Sequence, residues 1–445
     1  LCDGTDRNCD GDSLAGAVDA PTWYADADGD GYGLAASTEV SCGQPHGYSA
    51  YLGDCDDTDP SYHPGAAEAD CTDPNDYNCD GSVGYADVDG DGEAACQGCN
   101  DADIVLICVP TPILERLPDL SMVAAAGRTV AEHMKPGALV VLESTTYAGT
   151  TEDLLGPILE AGHRRAGQDF LLAFAPERID PGNTSFAFHQ IPRVVGGIDQ
   201  ASTDAAVAFY ADLVDHVHPV SSTKAAEQAK LLENTFRMVN IAMVNEFAML
   251  CADQGINPWE VIEAADTKPF GFMPFYPGPG VGGHCIPIDP IYLTWQSRRD
   301  AGRPIRLVEL AQDINAERPG WVIDRIAAAL NDQAKSVRGS AVLTIGVTYK
   351  PDVGDLRESA ALQVLHGLAR RGADISYHDP HVPTLTVGDH ELESVELTDE
   401  AIADADLVAV LTPHRAVDLD RVVANAGLVF DARNATGGGP NVVVL

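Results

Sequence analysis

Basic side chains are scarce in this chain: 27 lysines and arginines stand against 68 aspartates and glutamates, a formal net charge of −41. A nucleic-acid binder needs a basic face to meet phosphates, and this balance excludes one on average. Long apolar runs are also missing, since none approaches the ~18 residues of a membrane-spanning helix. Aromatic residues are few, at 6%, yet hydrophobic residues reach 45%, enough to build a core, so pervasive disorder is excluded too. The chain opens at Leu1, inside a repeat, with no initiator methionine and no signal peptide, the pattern expected of a fragment. Its 445 residues suggest two to three domains.

The shortage of bases is uneven. Residues 1–100 hold 22 acids and one base, Arg7, whereas residues 101–445 hold 46 acids and 26 bases. Eight of the eleven cysteines also precede residue 100, leaving Cys108, Cys251 and Cys285 behind it. Two different kinds of protein meet near Asn100.

The first hundred residues repeat themselves. Asp6-Arg7-Asn8-Cys9-Asp10-Gly11 recurs as Asp76-Tyr77-Asn78-Cys79-Asp80-Gly81, and Asp26-Ala27-Asp28-Gly29-Asp30-Gly31 as Asp87-Val88-Asp89-Gly90-Asp91-Gly92. A third acidic knot reads Asp54-Cys55-Asp56-Asp57-Thr58-Asp59. Alternate carboxylates with interleaved glycines suit calcium, which takes oxygen ligands from a tightly curled loop. Asp26, Asp28, Asp30, Asp87, Asp89 and Asp91 are the candidate ligands. These are not EF-hands, because the twelfth positions are Ser37 and Gly98 instead of a bidentate glutamate. The repeats resemble Asp/Cys-rich metal-binding repeats of bacterial surface proteins. A solvated acidic linker is the alternative. Eight cysteines in a core-poor segment read as an irregular disulfide framework of unassigned connectivity, which belongs to an extracellular or periplasmic setting. Cys96-Gln97-Gly98-Cys99 has no second pair at zinc-ribbon spacing.

From residue 101 the texture is that of an α/β protein. Apolar runs at 103–110, 138–142, 170–174 and 193–196 alternate with helical stretches at 120–135 and 150–162, half of a doubly wound sheet domain. Residues 223–253 form a long helical pattern almost free of breakers. A Pro/Gly-rich loop spans 269–290, helical periodicity returns over 303–334, and a second α/β unit opens at 341–346. It continues with a helix at 359–371 and strands at 374–378, 406–411 and 428–430. The expected layout is a repeat segment (1–100), a truncated Rossmann-like sheet (101–220), a central helical domain (221–335) and a second Rossmann-like sheet (336–445).

The loop from Pro274 to Pro290 is the densest chemical signal. Cys285 sits in a Gly/Pro setting where glycines let backbone approach a ligand, and Asp289 follows four residues on. A thiolate there can attack a carbonyl while the carboxylate activates water. Gly278, Gly280 and Gly283 match a dinucleotide GxGxxG only formally, because no strand precedes them. On the long helix Lys230 and Asn234 share a face and offer an ammonium and an amide to an oxyanion.

Cys108-Val-Pro-Thr-Pro112, Glu143-Ser-Thr145, Pro176-Glu-Arg178, Lys230-Leu-Leu-Glu-Asn234, Gly282-Gly-His-Cys-Ile-Pro-Ile-Asp289 and Gly346-Val-Thr-Tyr-Lys-Pro-Asp352, followed by Arg357-Glu-Ser, together resemble the UDP-glucose/GDP-mannose dehydrogenase family. The Gly-Gly-His-Cys-Ile-Pro form of the loop is similar to that of UDP-N-acetylhexosamine enzymes, whereas UDP-glucose enzymes more often carry lysine where Ile288 stands here. The resemblance implies oxidation of a UDP-sugar C6 alcohol to the uronic acid with NAD, through a thiohemiacetal and thioester on Cys285. It assigns oxyanion contacts to Lys230 and Asn234, water and proton handling to Asp289 and Glu177, and a place near the reacting centre to Thr145. It assigns cofactor contacts to Val109, Pro110, Thr111, Ser144, Thr145 and Arg357. Substrate contacts fall to Glu177, Arg178, Lys230, Asn234, Phe275, Tyr276, Gly282 and Lys350. It further implies a homodimer through the long helix and a cytoplasmic enzyme.

One family feature is missing from the sequence. The residues ahead of the strand at 103–110 are the acidic repeats, and no strand–GxGxxG–helix unit stands there to grip the cofactor pyrophosphate. The expectation is weakened NAD binding and impaired turnover. The competing expectation is a calcium-binding surface protein carrying an inactive nucleotide-sugar-binding domain.

Overall fold

Short apolar runs bounded by glycine, proline and polar residues become the sheets of this protein. The computed structural model describes residues 21–52, 54–62, 102–114, 117–180, 183, 185–388 and 390–445, and the side chains of residues 35, 36, 114, 285 and 390 are not among those described. The chain divides into two compact units, residues 1–105 with 132–138, and residues 106–131 with 139–445.

In the first unit, strands β1 (Thr22–Ala25) and β2 (Tyr32–Val40) pair antiparallel, Thr22 opposite Val40, around the Asp26–Gly31 turn. Short strands β3 (Tyr48–Ser49) and β4 (Tyr51–Leu52) complete a sheet in the order β3-β1-β2-β4. The irregular segment expected here is thus partly a sheet. Trp23, Tyr24 and Tyr32 flank the acidic turn, aromatic residues favour a pleated surface, and the Trp23 indole donates to the Ser41 carbonyl at 2.7 Å. Cys42 and Cys55 are each disulfide-bonded. Asp87, Asp89 and Asp91 lie outside the described residues.

The chain from residue 102 onward holds two five-stranded sheets. The first has the order β11-β10-β9-β8-β5, from β5 (Ile104–Ile107), β8 (Leu139–Leu142), β9 (Leu171–Phe174), β10 (Arg193–Gly197) and β11 (Val217–Pro219). A small hairpin of β6 (Ile113–Leu114) and β7 (Leu117–Pro118) follows β5. Helix α1 (Ser121–His133) precedes β8, and α2 (Gln200–Ala211), capped by Asp199, packs on β10 and β9. The order is not all parallel. β8 and β9 run parallel, but β10 is antiparallel to β9, with Gly196 opposite Phe174. That reversal brings the start of β10 to the carboxyl end of β9.

The second sheet has the order β13-β12-β16-β17-β18, wholly parallel, from β12 (Ala341–Ile345), β13 (Asp374–His378), β16 (Leu407–Val410), β17 (Val429–Asp431) and β18 (Val442–Val444). A hairpin of β14 (Thr384–Val387) and β15 (His390–Glu393) intervenes.

Between the sheets in sequence come α3 (Thr223–Gln254), α4 (Pro258–Asp266), α5 (Cys285–Ala301) and α6 (Arg306–Asp332). Helix α7 (Ala360–Arg370) covers the second sheet, with short α8 (Asp399–Asp404) and α9 (Leu419–Asn425) beyond it. Val322, Ile326 and Leu330 of α6 and Val364 and Leu368 of α7 close a core over Val342, Leu407 and Phe430. Each such side chain contributes roughly 1.5–3 kcal/mol on burial. Among the described residues no helix is long and apolar enough to cross a membrane.

Candidate active site

Helix α3 is long because nothing interrupts it. Ser222 accepts from the Ala225 amide at its start, Gly255 turns left-handed at its end (φ 66°), and no proline or glycine lies between. Glu227, Lys230, Asn234 and Asn245 all lie on buried positions, an unusual polar content for an inward face. The pairing of Lys230 with Asn234 on one face is therefore as the spacing implies.

The Pro/Gly loop is shorter than its composition suggests. Cys285 is the first residue of α5 and not a loop residue, and Pro287 falls in the first turn, where its missing N–H costs no helical bond. The Cys285 side chain lies outside those described. Asp289 is one turn along α5 and 1% exposed. Asn234 Nδ2 donates to Asp289 Oδ2 at 2.5 Å, joining α3 to α5. Burial pushes the Asp289 carboxyl up to about 6, against the Asn234 hydrogen bond and the Lys230 charge, which pull it down. A carboxylate so placed titrates near neutrality, the range a general base needs.

Lys230 Nζ donates to the Glu177 carbonyl, in the loop that leaves β9. The Glu177 side chain meets Arg193 at 2.9 Å. Burial alone would raise Glu177, but Arg193 and the Ile179 amide hold it below the ordinary carboxylate value, so it stays ionised. Arg193 also binds Glu143, stacks on the Tyr210 ring at 5.0 Å and is 6% exposed. The reversed direction of β10 is what delivers Arg193 to this end of the sheet. No sequence signal marked Arg193 or Tyr210, since a lone arginine opening a strand looks like an edge residue. Arg178 pairs with Glu233 at 2.6 Å.

The loops after β5 and β8 interlock. The Val109 amide donates to Ser144 Oγ at 2.9 Å, Ser144 Oγ donates back to the Val109 carbonyl at 2.7 Å, and Thr111 Oγ1 donates to the Thr145 carbonyl at 2.8 Å. Tyr292 of α5 donates its hydroxyl to the Thr111 carbonyl at 3.0 Å and ties this corner to the helix that begins at Cys285. Pro110 sits in the same loop. Cys108 is no competitor as nucleophile: partial burial and the Glu143 carboxylate push its thiol to about 11.

The glycines before Cys285 do not open space for a ligand. A Cβ on Gly278 would stand 2.4 Å from the Arg433 guanidinium, and one on Gly282 would stand 2.8 Å from the Glu358 carbonyl. They let the strap lie directly on the loops of the second sheet. Its position is fixed from the other side by a buried network absent from the sequence reading. The Gly278 amide donates to Asn245 Oδ1 at 3.0 Å, Arg318 Nε donates to the Gly278 carbonyl at 3.0 Å, and Asn245 donates to Asn315 at 3.3 Å. Phe275 stacks edge-on with Phe236 of α3 at 5.8 Å, and Tyr276 is exposed. The Gly283 amide donates to the Arg357 carbonyl at 2.9 Å, while the Arg357 side chain pairs with Asp355 at 2.7 Å. Lys350 pairs with Asp180 at 2.5 Å.

The NAD-binding, central and UDP-binding domains of the UDP-glucose/GDP-mannose dehydrogenase family match residues 92–214, 224–317 and 343–438. A UDP-N-acetyl-D-mannosamine dehydrogenase of Salmonella typhimurium is 37% identical over 329 residues, covering 71% of this chain and 77% of that one. The chain belongs to this family. An NDP-N-acetyl-D-galactosaminuronic acid dehydrogenase of Ralstonia nicotianae is 35% identical over 346 residues, 75% of this chain and 78% of its own. Among solved structures, the UDP-D-ManNAc dehydrogenase of Pyrococcus horikoshii superposes with a TM-score of 0.70 at 31% identity, over 78% of this chain and 81% of that one. The three family domains coincide with the first sheet, the α3–α6 region and the second sheet. The matched NAD-binding domain begins at residue 92, inside the acidic segment.

Proposed function

We propose that this chain oxidises the C6 alcohol of a UDP-N-acetylhexosamine to the uronic acid, with Cys285 as the covalent nucleophile. The observation that carries the reading is the Asn234–Asp289 pair beside Lys230, one helical turn from Cys285. NAD supplies the acceptor for the two hydrides that leave C6. The loops 108–112 and 143–146 follow the carboxyl ends of neighbouring strands, where open α/β sheets bind nucleotides, so they fit part of that cofactor.

The chain's own groups divide the work. Deprotonated Cys285 adds to the C6 aldehyde as a thiohemiacetal, and loss of the second hydride leaves a thioester. Lys230 and Asn234 stabilise the oxyanion of each adduct. Asp289, ionised above about pH 6, takes the proton of the water that breaks the thioester and returns the thiol. The Glu177 carbonyl orders Lys230, and the Glu177 carboxylate, held ionised by Arg193, orders that water, with Thr145 beside the reacting carbon. Phe275, Tyr276, Arg178 and Lys350 contact the substrate and Arg357 the cofactor, while Gly282 lets the strap lie on the loops of the second sheet.

No GxGxxG stands in residues 1–103, ahead of β5, and on that ground we infer that cofactor affinity is weak and turnover impaired. The test is NADH formation from UDP-ManNAc and UDP-GlcNAc by purified protein. Slow formation that disappears in Cys285→Ala supports the reading. Formation unchanged in that variant overturns the thioester route.

The functional unit is a homodimer. Leu232, Phe236, Met243, Phe247 and Leu250 form an exposed apolar stripe at helical spacing along α3, opposite its polar buried face. A second copy of the same stripe is the complementary surface. The second reading, in which the acidic repeats bind calcium and the dehydrogenase part is a passive nucleotide-sugar binder, is favoured by the converging carboxylates of the first unit.

A further inference from the structure

The Asp26–Gly31 turn lies against the third acidic knot. A carboxylate oxygen of each of Asp28, Asp30 and Asp54 lies within 4.8 Å of the others, and the same holds for Asp26, Asp28 and Asp57, so Asp28 belongs to both groups. In each case one oxygen is already used. Asp26 Oδ1 accepts from the Gly29 amide at 2.7 Å, Asp30 Oδ1 from Tyr32 at 2.7 Å, and Asp54 Oδ1 from Asp56 at 2.8 Å. Asp57 Oδ1 accepts from the Ala27 amide at 2.6 Å and so joins the two segments.

Three of the remaining oxygens have no such employment. Oδ2 of Asp28, Asp30 and Asp54 is buried without a hydrogen-bond partner, and Asp54 is only 7% exposed. Buried polar atoms are ordinarily satisfied, and an ionised carboxylate is costly to bury unpaired. The only lysine or arginine in the first hundred residues is Arg7.

We propose that Asp26, Asp28, Asp30, Asp54 and Asp57 form one composite site for a hard divalent cation of calcium's class, in which Asp54 supplies the buried ligand. The inference rests on the calcium reading of the repeats and adds two ligands from the third acidic knot to those of the Asp26–Gly31 turn. All-oxygen ligation from a curled backbone is what calcium accepts, whereas the smaller magnesium ion demands a stricter octahedron.

Calcium titration of the full chain by calorimetry, with magnesium as comparison, tests the site in wild type, Asp54→Asn, Asp57→Asn and Asp56→Asn. Asp56 lies in the same knot outside the cluster and controls for the lost charge. Each asparagine keeps the Oδ1 acceptor, so the turns retain their backbone bonds. The expected result is calcium binding weakened at least about tenfold by Asp54→Asn and Asp57→Asn and little changed by Asp56→Asn. Circular dichroism of each variant reports whether its fold is kept. Wild type that binds no calcium removes the calcium reading and the site together. Wild type that binds, with all three variants alike, leaves calcium to other repeats and overturns the composite site.

Discussion

Asn234 and Asp289 meet across 2.5 Å, although 55 residues separate them, and the contact leaves Asp289 buried with its proton poised near neutrality. Because burial raises Asp289 in the folded state above its unfolded value, its contribution to stability is greatest below pH 4 and is lost as pH rises through about 6. Asp289→Asn escapes that loss. The variant is expected to gain stability relative to wild type between pH 4 and 7, by up to roughly 3 kcal/mol. Thermal unfolding across this pH range checks it, and parallel curves would refute it. In wild type, turnover should fall as pH drops below about 6.

Arg193 bridges the carboxylates of Glu143 and Glu177. Arg193→Met leaves the half-buried Glu143 carboxylate with the Tyr210 hydroxyl but without its cation, at an expected cost of about 3 kcal/mol. Denaturant unfolding measures it. A loss under 1 kcal/mol would mean that Tyr210 and solvent suffice.

Gly282→Ala places a methyl 2.8 Å from a backbone carbonyl that cannot swing away. The strap must lift, and the start of α5 with it. Activity should drop by at least tenfold with a stability loss of about 1–3 kcal/mol. Wild-type kinetics in this variant would show that the strap tolerates displacement.

Met243→Asp with Leu250→Asp puts two carboxylates in the exposed stripe of α3, where neither side chain supports the protomer's own core. Sedimentation should change from dimer to monomer, with circular dichroism unchanged. A variant that remains dimeric places the interface on another surface.

The sequence made Lys230 and Asn234 legible as partners because helical periodicity alone sets them on one face. Asp289 followed from its spacing to Cys285, although the helix that realises the spacing was hidden by Pro287 and Pro290. What stayed illegible depends on pairing between distant segments. The antiparallel setting of β10, which carries Arg193 to Glu177, is decided by packing and leaves no mark in the run Arg193–Gly197. Asn245, Asn315 and Arg318 look like ordinary polar positions in two helices until the strap lies between them. In the acidic segment, DxDGDG was visible as a motif, but Asp54 could be joined to it only through the sheet that brings Tyr48–Ser49 beside β1.

Helix α3 carries Asn234 and Asn245 eleven positions apart, close to three full turns and about 16 Å at 1.5 Å per residue. The first residue grips the buried Asp289 carboxylate and the second grips the glycine strap. The helix therefore works as a ruler with two marks. Inserting one alanine between them would rotate one mark by about 100° against the other, so that the chain could satisfy either grip but not both.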